Sequence, residues 1–193
     1  MRKQVVLTLL LSLILFSLLS CQMETQPIEE GFTSFLADST MKIKVTATNN
    51  PVYYEFGLRF QVLKEGKVVK FGTRLPNSGT YRVSIWDFTE KTVLLSQNVI
   101  QTQANTQAWA DISGLAIKPE KEYFISVVAN NWNDALPKAG GNILYPIIKG
   151  SVKVLGFGYA SQPSATATPR LPNETNNTKS ISGFVDFGFI PNN

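Results

Sequence analysis

The chain has no histidine and a single cysteine among its 193 residues. Without histidine there is no imidazole to act as a general base near neutral pH, no Ser/His/Asp or Cys/His arrangement and no imidazole-built zinc site. One cysteine, Cys21, leaves no intramolecular disulfide to form. Charge is sparse as well: Lys and Arg number 18 against 14 Asp and Glu, and setting Arg2 and Lys3 aside leaves 16 against 14, a balance of +2. The basic residues are scattered rather than gathered into a stripe, which argues against a nucleic-acid partner. Helical periodicity is missing too, since beyond the first twenty residues no stretch of ordinary helix length repeats every 3.6 positions. The expectation from these absences is a protein with no catalytic residues, no resident metal and no cofactor.

What is present is alternation. Tyr81, Val83 and Ile85 fall on one face of a strand and Arg82, Ser84 and Trp86 on the other, between turn signals at Pro76-Asn77-Ser78-Gly79 and Thr89-Glu90-Lys91-Thr92. Phe56, Leu58, Phe60 and Val62 alternate with Glu55, Gly57, Arg59 and Gln61, the cleanest such pattern in the chain. Lys64-Glu65-Gly66-Lys67 then reads as a hairpin turn into a return strand with Val69, Phe71 and Leu75 inward. Met41, Ile43, Val45 and Ala47 predict a first strand with one wet face, and Trp109–Ile112 a short strand closed at Ser113-Gly114. Tyr123–Ala129 is apolar on both parities, as a central strand covered on both sides would be. Gln97–Gln107 reads as a polar connection, Asn130–Asp134 as a polar loop around Trp132, and Ser161–Ser180 as a long irregular loop. A closing strand follows, with Ile181, Val185, Phe187 and Phe189 inward. Many short strands with turn signals between them predict an all-β fold, an antiparallel β-sandwich of jelly-roll or immunoglobulin-like kind.

The start of the chain has signal-peptide proportions. Met1-Arg2-Lys3 is a positive region, and Val5–Leu19 is an apolar run too short to be a comfortable membrane span. It ends in Leu18-Leu19-Ser20-Cys21, which resembles the lipobox of bacterial lipoproteins. The resemblance implies a cleaved signal helix over residues 1–20, a lipidated tether over 21–31 beginning at an acylated Cys21, and a single β-sandwich domain over 32–193. Several acyl chains exceed the one-chain limit of reversible membrane binding, so the membrane is an expected partner. Gln22 after the cysteine resembles lipoproteins passed to the outer membrane of the bacterial cell envelope, while Glu24, Glu29 and Glu30 weakly resemble the acidic tethers of surface-exported ones.

Three stretches, Glu55–Phe60, Gly66–Gly72 and Ser78–Trp86, followed by Tyr123–Val127, resemble in order and spacing the bacterial domain of unknown function 4082 family, over a family-like core of about residues 52–130. The resemblance implies a β-sandwich of secreted or surface proteins, often beside carbohydrate-active modules, and carries over no functional residue.

Sandwich domains hold sugars by laying an aromatic ring against the apolar face of a pyranose and bracketing it with polar groups. Trp132 is the leading candidate, because Asn130, Asn131, Asn133 and Asp134 surround it. Trp86 with Arg82 is a second, since the guanidinium shares its parity and could stack on the indole. Trp109, Tyr145 and Tyr159 are further aromatics to place. The Asn-rich stretch also offers oxygens to calcium, with only Asp134 charged. Glu55, Asp87, Asp111, Asp134 and Asp186 are the carboxylates an enzyme reading would need in pairs, and no motif ties any two of them. The expected partner beyond the membrane is therefore a polysaccharide, or alternatively another envelope protein. For the anchor itself, Cys21→Ser is expected to abolish incorporation of labelled palmitate and shift the protein out of the membrane fraction; an acyl label that persists in the variant would refute the lipobox reading.

Overall fold

The computed structural model describes residues 26–173 and 178–193, so the leader, Cys21 and the first part of the tether lie outside the described residues. Strands are numbered in chain order. One layer of the sandwich is a six-stranded antiparallel sheet in the order β10 (Ile147–Lys149), β11 (Val152–Gln162), β3 (Tyr53–Val62), β8 (Tyr123–Ala129), β5 (Gly79–Asp87) and β6 (Thr92–Gln101). The opposing layer is made of two smaller sheets. One has the order β1 (Glu29–Glu30), β13 (Val185–Pro191), β4 (Gly66–Thr73) and β7 (Ala108–Ile117); the other has β12 (Ile181–Ser182), β9 (Trp132–Pro137) and β2 (Met41–Ala47).

Alternation sorts the side chains as a pleat requires. Phe56, Leu58, Phe60 and Val62 of β3, Val83 and Ile85 of β5, and Ile125 and Val127 of β8 all face the second layer and are buried. Val185, Phe187 and Phe189 of β13 meet them, with the Phe60 and Phe187 rings 4.4 Å apart between centroids. Each such side chain contributes roughly 1.5–3 kcal/mol of burial. β8 is buried at every position because its other face is covered as well.

Several elements differ from the sequence expectation, each for a local reason. A register shift between Val68 and Lys70 on β4 turns Val68 into the core, where parity alone had put Val69. Gln97–Gln101 is not part of a connection; it continues β6, paired along the whole of β5. β7 runs on past Ser113-Gly114 to Ile117, with Gly114 at φ +90 letting the strand bend rather than end. Both faces of β2 are wet, and Ile43 and Val45 are 37% and 47% exposed, because β2 is the edge of the small sheet. Order also begins before residue 32: Glu29 and Glu30 pair with Phe189 and Gly188.

The N-terminal segment is pinned by charge. The Lys70 ammonium lies 2.6 Å from Glu30 and 4.2 Å from the centre of the Trp109 ring. Glu29 accepts the backbone N–H of Ser151 at 2.7 Å and its hydroxyl at 3.2 Å. A six-residue helix, α1 (Gly31–Leu36), follows. A helix this short does not form alone. Asp186 holds it, accepting the backbone N–H groups of Thr33 at 2.7 Å and Phe32 at 3.2 Å from below, while Phe32 packs edge-on against Phe184.

This arrangement fixes the two poles. β13 pairs Pro191 with Gly66, and the chain preceding β1 leaves at that end, where Gln26 borders the same recess as Lys67 and Ile190. The β3–β4 hairpin is at the same end, so Tyr54 stands eight residues up β3 from Val62, about 26 Å away at ~3.3 Å per residue.

Burial pushes the Asp186 carboxyl from its ordinary 3.8 up to about 6, and the N–H donors of Thr33, Phe187 and Phe32 only partly oppose it. A carboxyl whose pKa is higher folded than unfolded binds its proton more tightly in the native state. Its contribution to stability is therefore complete below pH 3.8 and is lost as the pH rises through about 6. Asp87 has the opposite sense, because the N–H of Glu90 and the Lys121 ammonium hold it below the usual range. Asp186→Asn keeps an acceptor under the helix but cannot ionise. Its melting temperature relative to wild type is expected to rise between pH 4 and pH 7, as read by thermal denaturation; parallel curves would refute the account.

Candidate functional site

Trp86 and Arg82 lie on the outer face of the six-stranded sheet, and that face is not open. Trp86 is 4% exposed, and its indole N–H donates to the Ser126 hydroxyl at 3.1 Å. Ser126 in turn donates to Glu55 at 2.8 Å. Glu55 is fully buried and also accepts the Gln162 amide at 2.6 Å and the backbone N–H of Arg170 at 2.7 Å. Arg82 does not stack on Trp86. Its guanidinium faces Glu55 at 3.6 Å and donates to the Ala167 carbonyl. The irregular segment 163–172 is thus a strap laid across the sheet, closed by one carboxylate that draws together β3, β5, β8 and the strap itself. Trp86 and Arg82 serve as a covered structural layer, which corrects their reading as a ligand platform.

The Asn130–Asp134 stretch is not a loop either. Only Asn130 and Asn131 make the turn, and β9 starts at Trp132. The Asn130 amide donates to the Asn50 carbonyl at 3.1 Å. Asn131 accepts the Asn77 N–H and exchanges hydrogen bonds with the Tyr81 hydroxyl. Asn133, 1% exposed, points inward and donates to the Arg74 carbonyl and to Asn105. Asp134 points to the opposite side of β9. These oxygens diverge, so they do not assemble a calcium shell, and among the described residues no three acidic, histidine or cysteine side chains cluster. Asn130 and Asn133 are parts of the turn and the interior rather than of a ligand surface.

Trp132 has a different setting. Its ring meets Phe56 at 5.2 Å and Tyr54 at 5.7 Å, and Tyr54 meets Tyr159 at 6.0 Å. Together with Ser182 these rings line an open cleft of about 230 Å³. The elements explain the assembly: Tyr159 of β11 pairs across from Phe56 of β3, and β9 turns back from the end of β8 so that Trp132 falls over both. Gly183, at φ +63, turns β12 into β13 beneath Phe56; a Cβ at this position would collide with the Phe56 ring. One side of the rim is polar: Ser182 lines the cleft, and its hydroxyl donates at 2.5 Å to Asp134, which also accepts the Thr46 hydroxyl at 2.6 Å.

Tyr54, Phe56 and Ser182 escaped the sequence reading. Tyr54 and Phe56 share a strand parity, which is a signal, but their meeting with Trp132 and Tyr159 depends on cross-strand register. Trp109 is covered by Lys70. Tyr145 is partly buried, its buried hydroxyl has no partner in the described structure, and burial raises its pKa. A larger recess of about 430 Å³ is bounded by Phe88, Lys91 and Arg170–Asn173, but it offers one aromatic ring where the cleft has four.

No known family matches the chain by sequence, and no curated protein is detectably similar to it. The lipobox and the likeness to the domain of unknown function 4082 family rest on the residues quoted for them.

Removing the Glu55 carboxylate leaves Arg82 buried beside no charge and frees the strap. Glu55→Ala is expected to destabilise the fold by about 3–5 kcal/mol and to speed amide exchange in 163–172 more than in β8, measured by hydrogen–deuterium exchange. Uniform protection across the strap in the variant would refute its dependence on Glu55.

Proposed function

We propose that this chain is a lipid-anchored lipoprotein of the bacterial envelope, at the outer membrane, whose β-sandwich binds saccharide without catalysis at the cleft formed by Tyr54, Phe56, Trp132 and Tyr159. The observation that carries the reading is the cleft itself, in which four rings converge beside a polar rim. Aromatic walls take up the C–H face of a pyranose, and the rim supplies orientation. At about 230 Å³ the volume falls below the ~300–1,000 Å³ of drug-sized pockets, which suits one ring rather than a buried chain.

The position of the cleft supports the same reading. Cys21 to Glu29 spans eight residues, at most about 29 Å when extended. An anchor at Cys21 would reach the domain at the Gly66–Pro191 pole, opposite the cleft at the other end of β3. A second reading, a lipoprotein that docks another envelope protein, is favoured by the edge strand β6, where Val93, Leu94 and Ile100 are 40%, 40% and 66% exposed.

Glycan-array binding of the lipoprotein in detergent is expected to select a set of saccharides. Trp132→Ala should weaken the best of them at least about tenfold, the scale of a lost stacking contact of ~1.4 kcal/mol. Trp132→Phe, which keeps a ring against Phe56, controls for folding. Binding indifferent to both substitutions would move the function to the β6 edge.

A further inference from the structure

Within the saccharide reading, on which this inference rests, we infer that the cleft selects neutral sugar rings that donate hydroxyl protons to it and discriminates against acidic ones. The direction of the rim's own protons decides this preference. Ser182 and Thr46 each have a single hydroxyl proton, and both are directed to the Asp134 carboxylate, at 2.5 Å and 2.6 Å. What these three side chains have left to offer a ligand is lone pairs.

A saccharide meets such a rim by donating, and the vicinal hydroxyls of a neutral pyranose do so. A uronic-acid carboxylate brings a second negative charge and further acceptors to the same place. In the lining, the Tyr54 and Tyr159 phenols and the Trp132 indole N–H are groups that can give a proton, but none brings the positive charge that would offset Asp134. Lys44 is opposite Asp134 across the β2–β9 pairing, yet no ion pair among the described residues joins the two, so Lys44 does not cancel the charge of Asp134 by contact.

The test uses matched sugars whose rings differ only at C6: methyl glucoside, galactoside and mannoside against the corresponding methyl uronides. They are titrated into the full lipoprotein in detergent at neutral pH and followed by calorimetry or ligand-observed NMR. At least one neutral glycoside is expected to bind, with its uronide at least about tenfold weaker. Asp134→Asn removes the charge and supplies amide donors, so it should bring that ratio towards one, while Trp132→Ala should weaken both members of the pair. Circular dichroism of Asp134→Asn checks that β9 remains folded, and Ser182→Ala supplies an independent variant expected to weaken neutral binding alone. A uronide that binds wild type as tightly as its neutral partner overturns the inference while leaving the saccharide reading standing. So does a ratio unmoved by Asp134→Asn, or a uronide preference lost on Lys44→Ala. Failure of every sugar to bind overturns both.

Discussion

The second layer of the sandwich is held shut by the last segment of the chain, and most of the structure depends on its burial. β12 pairs with β9, Gly183 turns the backbone, and β13 then enters between β1 and β4. This one segment joins two sheets, sets Phe184 against Phe32, stacks Phe187 on Phe60 and presents Asp186 to the start of α1. Without it, the inner face of the six-stranded sheet would lose its main cover. Hydrophobic burial supplies the energy, and the buried Asp186 carboxyl ties the N-terminal helix to the C-terminal strand.

The opposite side of the same sheet is closed by polar chemistry. Glu55 gathers donors from Ser126, Gln162, the Arg170 backbone and the Arg82 guanidinium. Such a cluster does little to drive folding, since desolvating the charges offsets much of their attraction. Its effect is specificity: a strap rich in Ser, Thr, Ala and Pro has few apolar groups to dock, and the contacts of Arg170 with Glu55, Ala167 with Arg82 and Thr168 with Gln162 define where it lies. The centre of the sheet, at β8 and the end of β5, is buried on both faces, and Trp86 is enclosed.

At the pole away from the N-terminal segment the aromatic content of the interior reaches the surface. There β9 folds back over β3 and β11, and Trp132 completes an aromatic edge begun by Tyr54, Phe56 and Tyr159. The cleft is thus the open end of the core, lined by residues that elsewhere along the same strands pack against the second layer. The aromatic end and its polar neighbours are products of the same packing that builds the core and require no dedicated loop.

Strand faces were legible in the sequence wherever hydrophobicity alternated, because side chains on a pleat point alternately to opposite sides. The inward sets of β3, β5 and β13 follow from that alone, as does the all-β class. Alternation failed at β4, where a bulge changes the parity, and in the polar part of β6, whose strand character comes from hydrogen bonds to β5 rather than from its own side chains. The candidate site was half legible. Trp132 was recognisable as an aromatic among polar neighbours, whereas Trp86, whose strand parity left its face open, is buried on the side of the sheet that a strap more than seventy residues away crosses. Local pattern decides which way a side chain faces. What lies in front of it is decided by register and by distant segments such as 163–172 and 181–191, whose contacts exist only once the chain has closed on itself.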